Sequence, residues 1–213
     1  MDNPVLILGA GTLGKTVADI FNANQVLIYG FLDDDKSKIG QEIMDIMVLG
    51  ETDDDGFLKL IGQKTEAFVA VDHVSDRKSL VKMLLERRKV MPVNAIHPRA
   101  VVSNDASIGH GNLIASGVIV NPKVTIGHHT ILLSGAIIEP DVTIQDYVHI
   151  GAGACINSGV TLEEGAFIGP GAVIVSGITI GKNARVGAGS VVISDVSSKE
   201  TVFGNPATSV KNK

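Results

Sequence analysis

The chain of 213 residues has no tryptophan, only eight other aromatics (six Phe, two Tyr) and one cysteine. So few aromatics argue against a large irregular core built on broad flat side chains. Cys155 alone excludes an internal disulfide and a cysteine-rich metal site. Lysine and arginine number 18 against 23 acids, giving a net charge of -5, and no basic cluster stands out. Neither nucleic acid nor an acidic membrane surface is therefore an expected partner. No apolar run approaches the roughly 20 residues needed to span a bilayer. The run Val5–Ala10 is short, has no basic flank and leads into a glycine loop, so it reads as a buried strand rather than a signal peptide. The expectation is a soluble, cytoplasmic protein.

Against these absences stand 24 glycines and 45% hydrophobic residues. Their arrangement is periodic. Stepping by six from Ile96 gives Val102, Ile108, Ile114, Val120, Ile126, Leu132, Ile138 and Ile144. The series continues through Ile150, Ile156, Leu162, Ile168, Ile174, Ile180 and Val186 to Val192. Every position is Ile, Val or Leu, without insertion. A helix repeats at 3.6 residues and an ordinary strand at 2, so neither accounts for a period of six. Two residues before the anchor the side chain is often small, as at Ala100, Ala106, Ala136, Ala154, Ala166, Ala172 and Ala184. One residue after it comes glycine, as at Gly109, Gly127, Gly151, Gly169, Gly181 and Gly187. This pattern predicts a triangular coil. Each hexapeptide supplies one short flat strand, and three close a turn of 18 residues. Anchors point inward, small residues fill corners, and glycine permits close backbone approach or positive φ. Such a stack has open ends to cap and flat faces suited to self-association.

Residues 1–92 have another texture. Val5–Leu8 reads as a strand, followed by Gly9-Ala10-Gly11-Thr12-Leu13-Gly14, a helix over about 15–22, and a second strand over 26–32 ending at Asp33-Asp34-Asp35. Strand, glycine turn, helix, strand and acid form the layout of a nucleotide fingerprint. Glycines bring backbone N–H groups at a helix N-terminus towards a phosphate, and the acid can hold a ribose or base edge. Further on the pattern predicts a helix near 53–61, with the Asp53-Asp54-Asp55 run at its N-terminus, and a strand over 67–71. A last helix over about 75–88 has Ser75 as its cap. Fewer than 100 residues hold only half of a full dinucleotide fold, which argues against an autonomous NAD dehydrogenase. Met91-Pro92 breaks the helix and marks the domain boundary, with the coils occupying 93–213.

The small nucleotide-type domain, the Ile96-His97-Pro98 junction, the hexapeptide coils and Gly204-Asn205-Pro206-Ala207 together resemble one family over essentially the whole chain. It is the bacterial sugar O-/N-acetyltransferase family of the hexapeptide-repeat acyltransferases, which includes sialic-acid O-acetyltransferases and UDP-4-amino-sugar N-acetyltransferases. The resemblance implies an α/β Rossmann-like half domain followed by a left-handed parallel β-helix. It also implies a homotrimer, with acetyl-CoA as co-substrate in the groove between neighbouring prisms. A sugar or nucleotide sugar is the implied acceptor, near the N-terminal domain.

Carried onto this sequence, the resemblance implies catalytic roles for Glu139, Asp141 and His149. It implies acetyl-CoA contacts at His149, Pro170, Ala188, Asn205 and Pro206. Nucleotide-sugar contacts would fall at Gly9, Gly11, Thr12, Leu13, Gly14, Asp33, Asp34 and Asp72. The sequence departs from the family at three of these places. Pro140 stands where the family has its catalytic histidine, Leu13 where its glycine loop often carries His, and Asp72 where the strand often ends in Gly. Proline has no titratable group, so Pro140 cannot accept a proton. His149, preceding an inward anchor, should face outward and is the best remaining base. His110 and His128, 18 residues apart, should stack, and with His129 read as exposed turn histidines. Zinc carbonic anhydrases of this fold use two histidines five apart; no pair here has that spacing, so no metal is expected. A Cys155–His149 nucleophile is conceivable, but a solitary thiol on a coil is more often inert.

Three functions remain open. The first is an acyl-CoA-dependent transferase acting on an amino or hydroxyl group of a sugar. The second is a catalytically silent trimer, scaffold or ligand sensor, favoured by Pro140. The third is a nucleotide- or NAD-binding regulatory module using Gly9–Gly14 and Asp33.

Overall fold

The computed structural model describes residues 3–210. They form two compact units that divide between Pro98 and Arg99.

The first unit runs β1 (Val5–Leu8), α1 (Thr12–Ala23), β2 (Ile28–Leu32), β3 (Glu42–Ile43) and β4 (Ile46–Gly50). It continues with the single turn α2 (Asp55–Leu58), then β5 (Glu66–Val69), α3 (Val74–Arg88) and β6 (Ala95–Ile96). One sheet has the order β3-β4-β2-β1-β5. Its pairs are parallel except the β3–β4 hairpin. All four residues of β1 are buried, as a central parallel strand covered on both faces requires. Leu6, Leu8, Leu32, Leu58, Val69, Val81 and Leu84 pack in one cluster, and the Phe21 and Phe68 rings meet edge to face at 6.1 Å.

Three local readings change. Helix α1 starts at Thr12 because Gly11, in extended conformation, takes the cap position. Helix α2 is only one turn, capped by Asp54, whose carboxylate accepts from the Gly56 N–H. His73, not Ser75, occupies the cap of α3; the Ser75 hydroxyl instead lies 2.8 Å from His73 Nδ1 and donates to Asp76 at 2.9 Å. The β3–β4 hairpin was invisible in sequence because its turn residues, Met44 and Asp45, take φ of 54° and 62° without the Asn-Gly signature such turns favour. Residues 93–98 also stay with the first unit, beyond the break at Met91-Pro92. The Val93 N–H donates to Ala67 O at 2.9 Å, and the Asn24 side chain donates to Ile96 O at 2.8 Å.

The second unit consists of two-residue strands every six residues, from Val101–Val102 to Val191–Val192. Strands 18 residues apart pair in parallel, as in Ile119↔Ile137↔Cys155 and Ile131↔His149↔Phe167. Three flat faces result. The first carries strands from Val101–Val102 to Val191–Val192, the second from Ser107–Ile108 to Thr179–Ile180, and the third from Leu113–Ile114 to Arg185–Val186. A terminal hairpin, Thr201–Gly204 with Ala207–Ser209, extends the third face. Every anchor from Ile114 to Val192 is buried; Ile96, Val102 and Ile108 are partly exposed. Truncating one such buried anchor to Ala should cost roughly 2–5 kcal/mol. The buried Asn112 and Thr130 interrupt the apolar column, but their polar atoms are paired. Asn112 accepts from the Thr130 N–H at 2.7 Å and donates to Gly127 O at 2.9 Å.

The glycines do two distinct jobs. Those one residue after an anchor have no room for a side chain: a Cβ on Gly151 would lie 2.4 Å from the Pro170 nitrogen. The position three after the anchor has positive φ in every turn from Gly111 to Gly189, whether Gly or not. Lys123, His129, Asp141, Tyr147 and Asn183 adopt it too.

Candidate functional site

In the first unit the glycine loop is pinned at both ends. Gly9 has φ 110°, and a Cβ there would lie 2.6 Å from Ala70 O. A Cβ on Gly14 would lie 2.2 Å from Gly9 O, so the start of α1 packs directly on the loop. Leu13 is buried, while Gly11 and Thr12 are exposed. Asp33, ending β2, accepts from the Ala10 N–H at 2.7 Å and the Asp35 N–H at 3.0 Å, and pairs with Lys38 at 3.1 Å. Burial would raise its pKa, but these donors and the ammonium together hold it below the usual carboxylate value. Asp34 accepts from both the N–H and the hydroxyl of Thr52, each at 2.8 Å.

Gly9, Asp33, Asp34, Thr52, Val71, Asp76, Ser79 and Leu80 line a cavity of about 420 Å³. Three of the eight expected nucleotide-sugar residues, Gly9, Asp33 and Asp34, thus share a cavity. Gly11, Thr12, Leu13, Gly14 and Asp72 do not line it. Below it the buried Arg77 donates to the carbonyls of Val71 and Asp72 at 2.7 and 2.9 Å. Thr52 and the α3 residues Asp76 and Ser79 were missed. Thr52 follows the unrecognised strand β4, and Asp76 and Ser79 lie in the first two turns of α3, where nothing in the sequence pattern sets them apart.

In the second unit the three corners differ in chemistry. Between second and third faces lies a polar edge. His110 and His128 stack as expected, 5.7 Å apart at 13°, and His128 Nδ1 accepts from the His110 N–H at 3.0 Å. Asp146 accepts from the His128 N–H, and Lys182 pairs with Glu164 at 2.6 Å. His129 is buried rather than exposed: its left-handed backbone lays the ring over Gly111 and against Tyr147, 5.0 Å away. Between third and first faces the edge is nearly bare. Ser116-Gly117, Ser134-Gly135, Ala152-Gly153, Pro170-Gly171 and Ala188-Gly189 succeed one another there, and beyond Gly153, Gly171 and Gly189 a Cβ would meet nothing within 4 Å. The terminal hairpin ends this edge. Its Phe203 ring lies over Gly187, and the Gly204 N–H donates to Ser190 at 3.1 Å, which sets Asn205-Pro206 at the hairpin turn.

His149 is on the third face, one residue before Ile150 and two before Gly151, where the bare edge begins. Its strand pairs in register with Ile131 on one side and Phe167 on the other. The imidazole and Phe167 ring centres are 5.0 Å apart, and the Arg185 guanidinium sits over the far side of that phenyl ring at 4.4 Å. His149, Pro170, Ala188, Asn205 and Pro206 are thus gathered along one side of the prism.

Glu139 and Asp141 lie elsewhere, at the corner between first and second faces. Within one chain they are separated from His149 by a prism face. Glu139 follows Ile138 and points outward near Cys155. Burial, and then the Glu139 carboxylate, push the Cys155 thiol up, which keeps it an unreactive thiol rather than a nucleophilic thiolate. Pro140 precedes Asp141, whose φ is 61°. Proline followed by a left-handed residue is the type II turn arrangement. Pro122-Lys123 one coil earlier and Pro170-Gly171 elsewhere repeat it. The proline at 140 therefore satisfies the turn, and the Gly159 N–H donates to its carbonyl at 3.1 Å. Among the described residues no three His, Cys, Asp or Glu side chains converge as metal ligands would, and no helix is long and apolar enough to cross a membrane.

Comparison with known proteins assigns both units. Residues 4–84 match the PglD N-terminal domain, and residues 123–158 and 159–194 match the six-repeat bacterial transferase hexapeptide model. No curated protein matches the sequence with significance. Among solved structures, a perosamine N-acetyltransferase from Caulobacter crescentus, a single-histidine mutant in complex with CoA and GDP-perosamine, is 30% identical. The match covers 98% of this chain and 97% of that one at a TM-score of 0.91. The acetyltransferase domain of PglB from Neisseria gonorrhoeae, in complex with acetyl coenzyme A, is 26% identical over 99% of this chain and 100% of that one, TM-score 0.90. WeeI from Acinetobacter baumannii is 28% identical over 97% and 99%, TM-score 0.86.

Proposed function

The chain belongs to the hexapeptide-repeat acyltransferases of the sugar N-acetyltransferase type, and from that membership we propose that it transfers an acyl group, acetyl by preference, from CoA to an amino or hydroxyl group of a sugar or nucleotide sugar. The carrying observation is the end-to-end match to a structure in complex with CoA and GDP-perosamine. The acceptor's nitrogen or oxygen attacks the thioester carbonyl. The new C–N or C–O bond forms, the C–S bond breaks, CoA leaves as the thiol, and the acceptor's proton passes to a base. His149 is our candidate for that base, or the free amine itself serves. The bare edge supports donor binding: Pro170, Ala188, Asn205 and Pro206 lie along it, and no side chain there obstructs a thin pantetheine arm. The cavity at Gly9, Asp33 and Asp34 is the proposed nucleotide end of the acceptor; Gly11, Thr12, Leu13, Gly14 and Asp72 would act there only from its margin.

Glu139 and Asp141 can join His149 only across neighbouring prisms, which favours a homotrimer. The first face supports this. Its outward residues, Val101, Ile119, Ile137, Cys155, Val173 and Val191, are apolar, with Val101 64% and Ile119 37% exposed. The second face shows Ser107, Thr125, Thr143, Thr161 and Thr179 instead. An exposed apolar stripe marks a contact surface. A cytoplasmic location follows from the proposed donor.

A thiol-release assay with acetyl-CoA and a panel of amino sugars and nucleotide amino sugars tests the reading. Release that depends on an acceptor supports it; no release with any acceptor, together with no CoA binding by calorimetry, rejects it. Pro140 favours a second reading, a silent trimer that kept the fold. Activity gained only on P140H would support that alternative.

A further inference from the structure

Phe167 is the only phenylalanine between residues 99 and 192. It occupies an outward, half-buried position, where the coil needs no aromatic ring: apart from His149 and Arg185, the other outward positions between Val101 and Val191 are filled by Val, Ile, Leu, Thr, Ser or Cys. Its ring lies between two functional groups, the His149 imidazole at 5.0 Å and the Arg185 guanidinium at 4.4 Å. Adjacent parallel strands are roughly 4.8 Å apart, so an outward side chain has one neighbour above and one below. For His149 these are Phe167 and Ile131, and Ile131 is 2% exposed. The imidazole is therefore held between an aliphatic floor and an aromatic ceiling. Arg185 makes no ion pair with a described residue. Its planar cation rests instead on the Phe167 face, as guanidinium groups favour. It limits the rotation of the phenyl ring that limits His149.

We propose that Phe167 is a positioning residue for His149, with Arg185 locking Phe167 from the opposite side. The column fixes the orientation of the imidazole towards the bare edge where the thioester is placed. The proposal rests on the acetyl-transfer reading for its kinetic consequence, but not for its geometric one. Misplacing a reacting group by about 1 Å can cost roughly 100-fold in rate. F167L fills the volume without offering a ring face. It should keep the fold and the KM for acetyl-CoA within about threefold, and lower kcat at least tenfold. F167Y and F167W should restore kcat to within about threefold of the natural protein, and R185M should show a loss intermediate between these and F167L.

A second readout needs no activity. In histidine-labelled protein the His149 ring protons should carry a ring-current displacement, assigned through H149Q, which F167L abolishes and F167Y retains. F167L with wild-type kcat, or with unmoved His149 signals, overturns the proposal. A natural protein inactive with every acceptor rejects acetyl transfer instead, and the ring signals then decide the positioning claim by themselves.

Discussion

Substituting alanine for Gly151 and for Gly153 should give very different results, although the two residues are separated by one position. Gly153 has φ 66°, and a Cβ there would meet nothing within 4 Å. The cost of G153A is then only the left-handed backbone, about 1–2 kcal/mol, partly offset by about 0.4–1 kcal/mol from a less flexible unfolded chain. The net loss is roughly 1 kcal/mol. G153N should lose about half of that, since Asn tolerates this region and Asn183 already occupies it at φ 56°. Gly151 has ordinary φ, but its Cβ would lie 2.4 Å from the Pro170 nitrogen and 2.8 Å from Gly169 C. Relief requires moving adjacent coils apart by about 1 Å. That motion stretches the Gly151 N–H to Ile168 O bond of 2.8 Å and the Gly171 N–H to Ala152 O bond of 2.9 Å. Overpacking at about 1–3 kcal/mol and two weakened hydrogen bonds at about 1 kcal/mol each give roughly 3–5 kcal/mol for G151A. At about 4 °C per kcal/mol for a unit of this size, melting should fall by about 4 °C for G153A and more than 10 °C for G151A. Scanning calorimetry at one fixed protein concentration resolves the transition of the coils. G151A melting within about 2 °C of the natural protein, or G153A melting below G151A, would refute the assignment of the two glycine columns.

Other outcomes follow from the same geometry. Asp33 has a lowered pKa, so its stabilisation is present above the unfolded value near 3.8 and is lost as pH falls through the folded one. D33N should be less stable at pH 7 yet show a shallower loss than the natural protein on acidification below about pH 4, read by urea unfolding at each pH. H149A should cut acceptor-dependent thiol release at least tenfold if the imidazole accepts the proton; undiminished release assigns the proton to the acceptor amine. I137E, which puts a carboxylate in the centre of the apolar face, should convert the assembly to monomer in sedimentation while leaving the circular dichroism of the coils in place. An I137E trimer would move the contact to another face.

The coil was legible because one residue in six faces the axis, and the burial of a methyl-rich side chain at each such position leaves its mark directly in the sequence. The anchors from Ile114 to Val192 are all buried where the period placed them. The fingerprint of the first unit was legible for the same reason: a fully buried strand and a tight glycine turn restrict local residue choice. The β3–β4 hairpin was not, because Met44 and Asp45 adopt positive φ without the residues that usually signal it.

Composition and spacing by themselves thus determined the two-part architecture, the 18-residue turn and the outward placement of His149. The 18-residue turn already says which outward residues lie one above another, but not how their rings and charged groups meet. Only the tertiary structure laid the Phe167 ring against the His149 imidazole and the Arg185 guanidinium over that ring, and turned the Asp33 carboxylate onto the Ala10 N–H of the glycine loop. It also explained Pro140. The sequence showed a missing base there; the fold shows a turn whose second central residue is left-handed, which favours proline just before it.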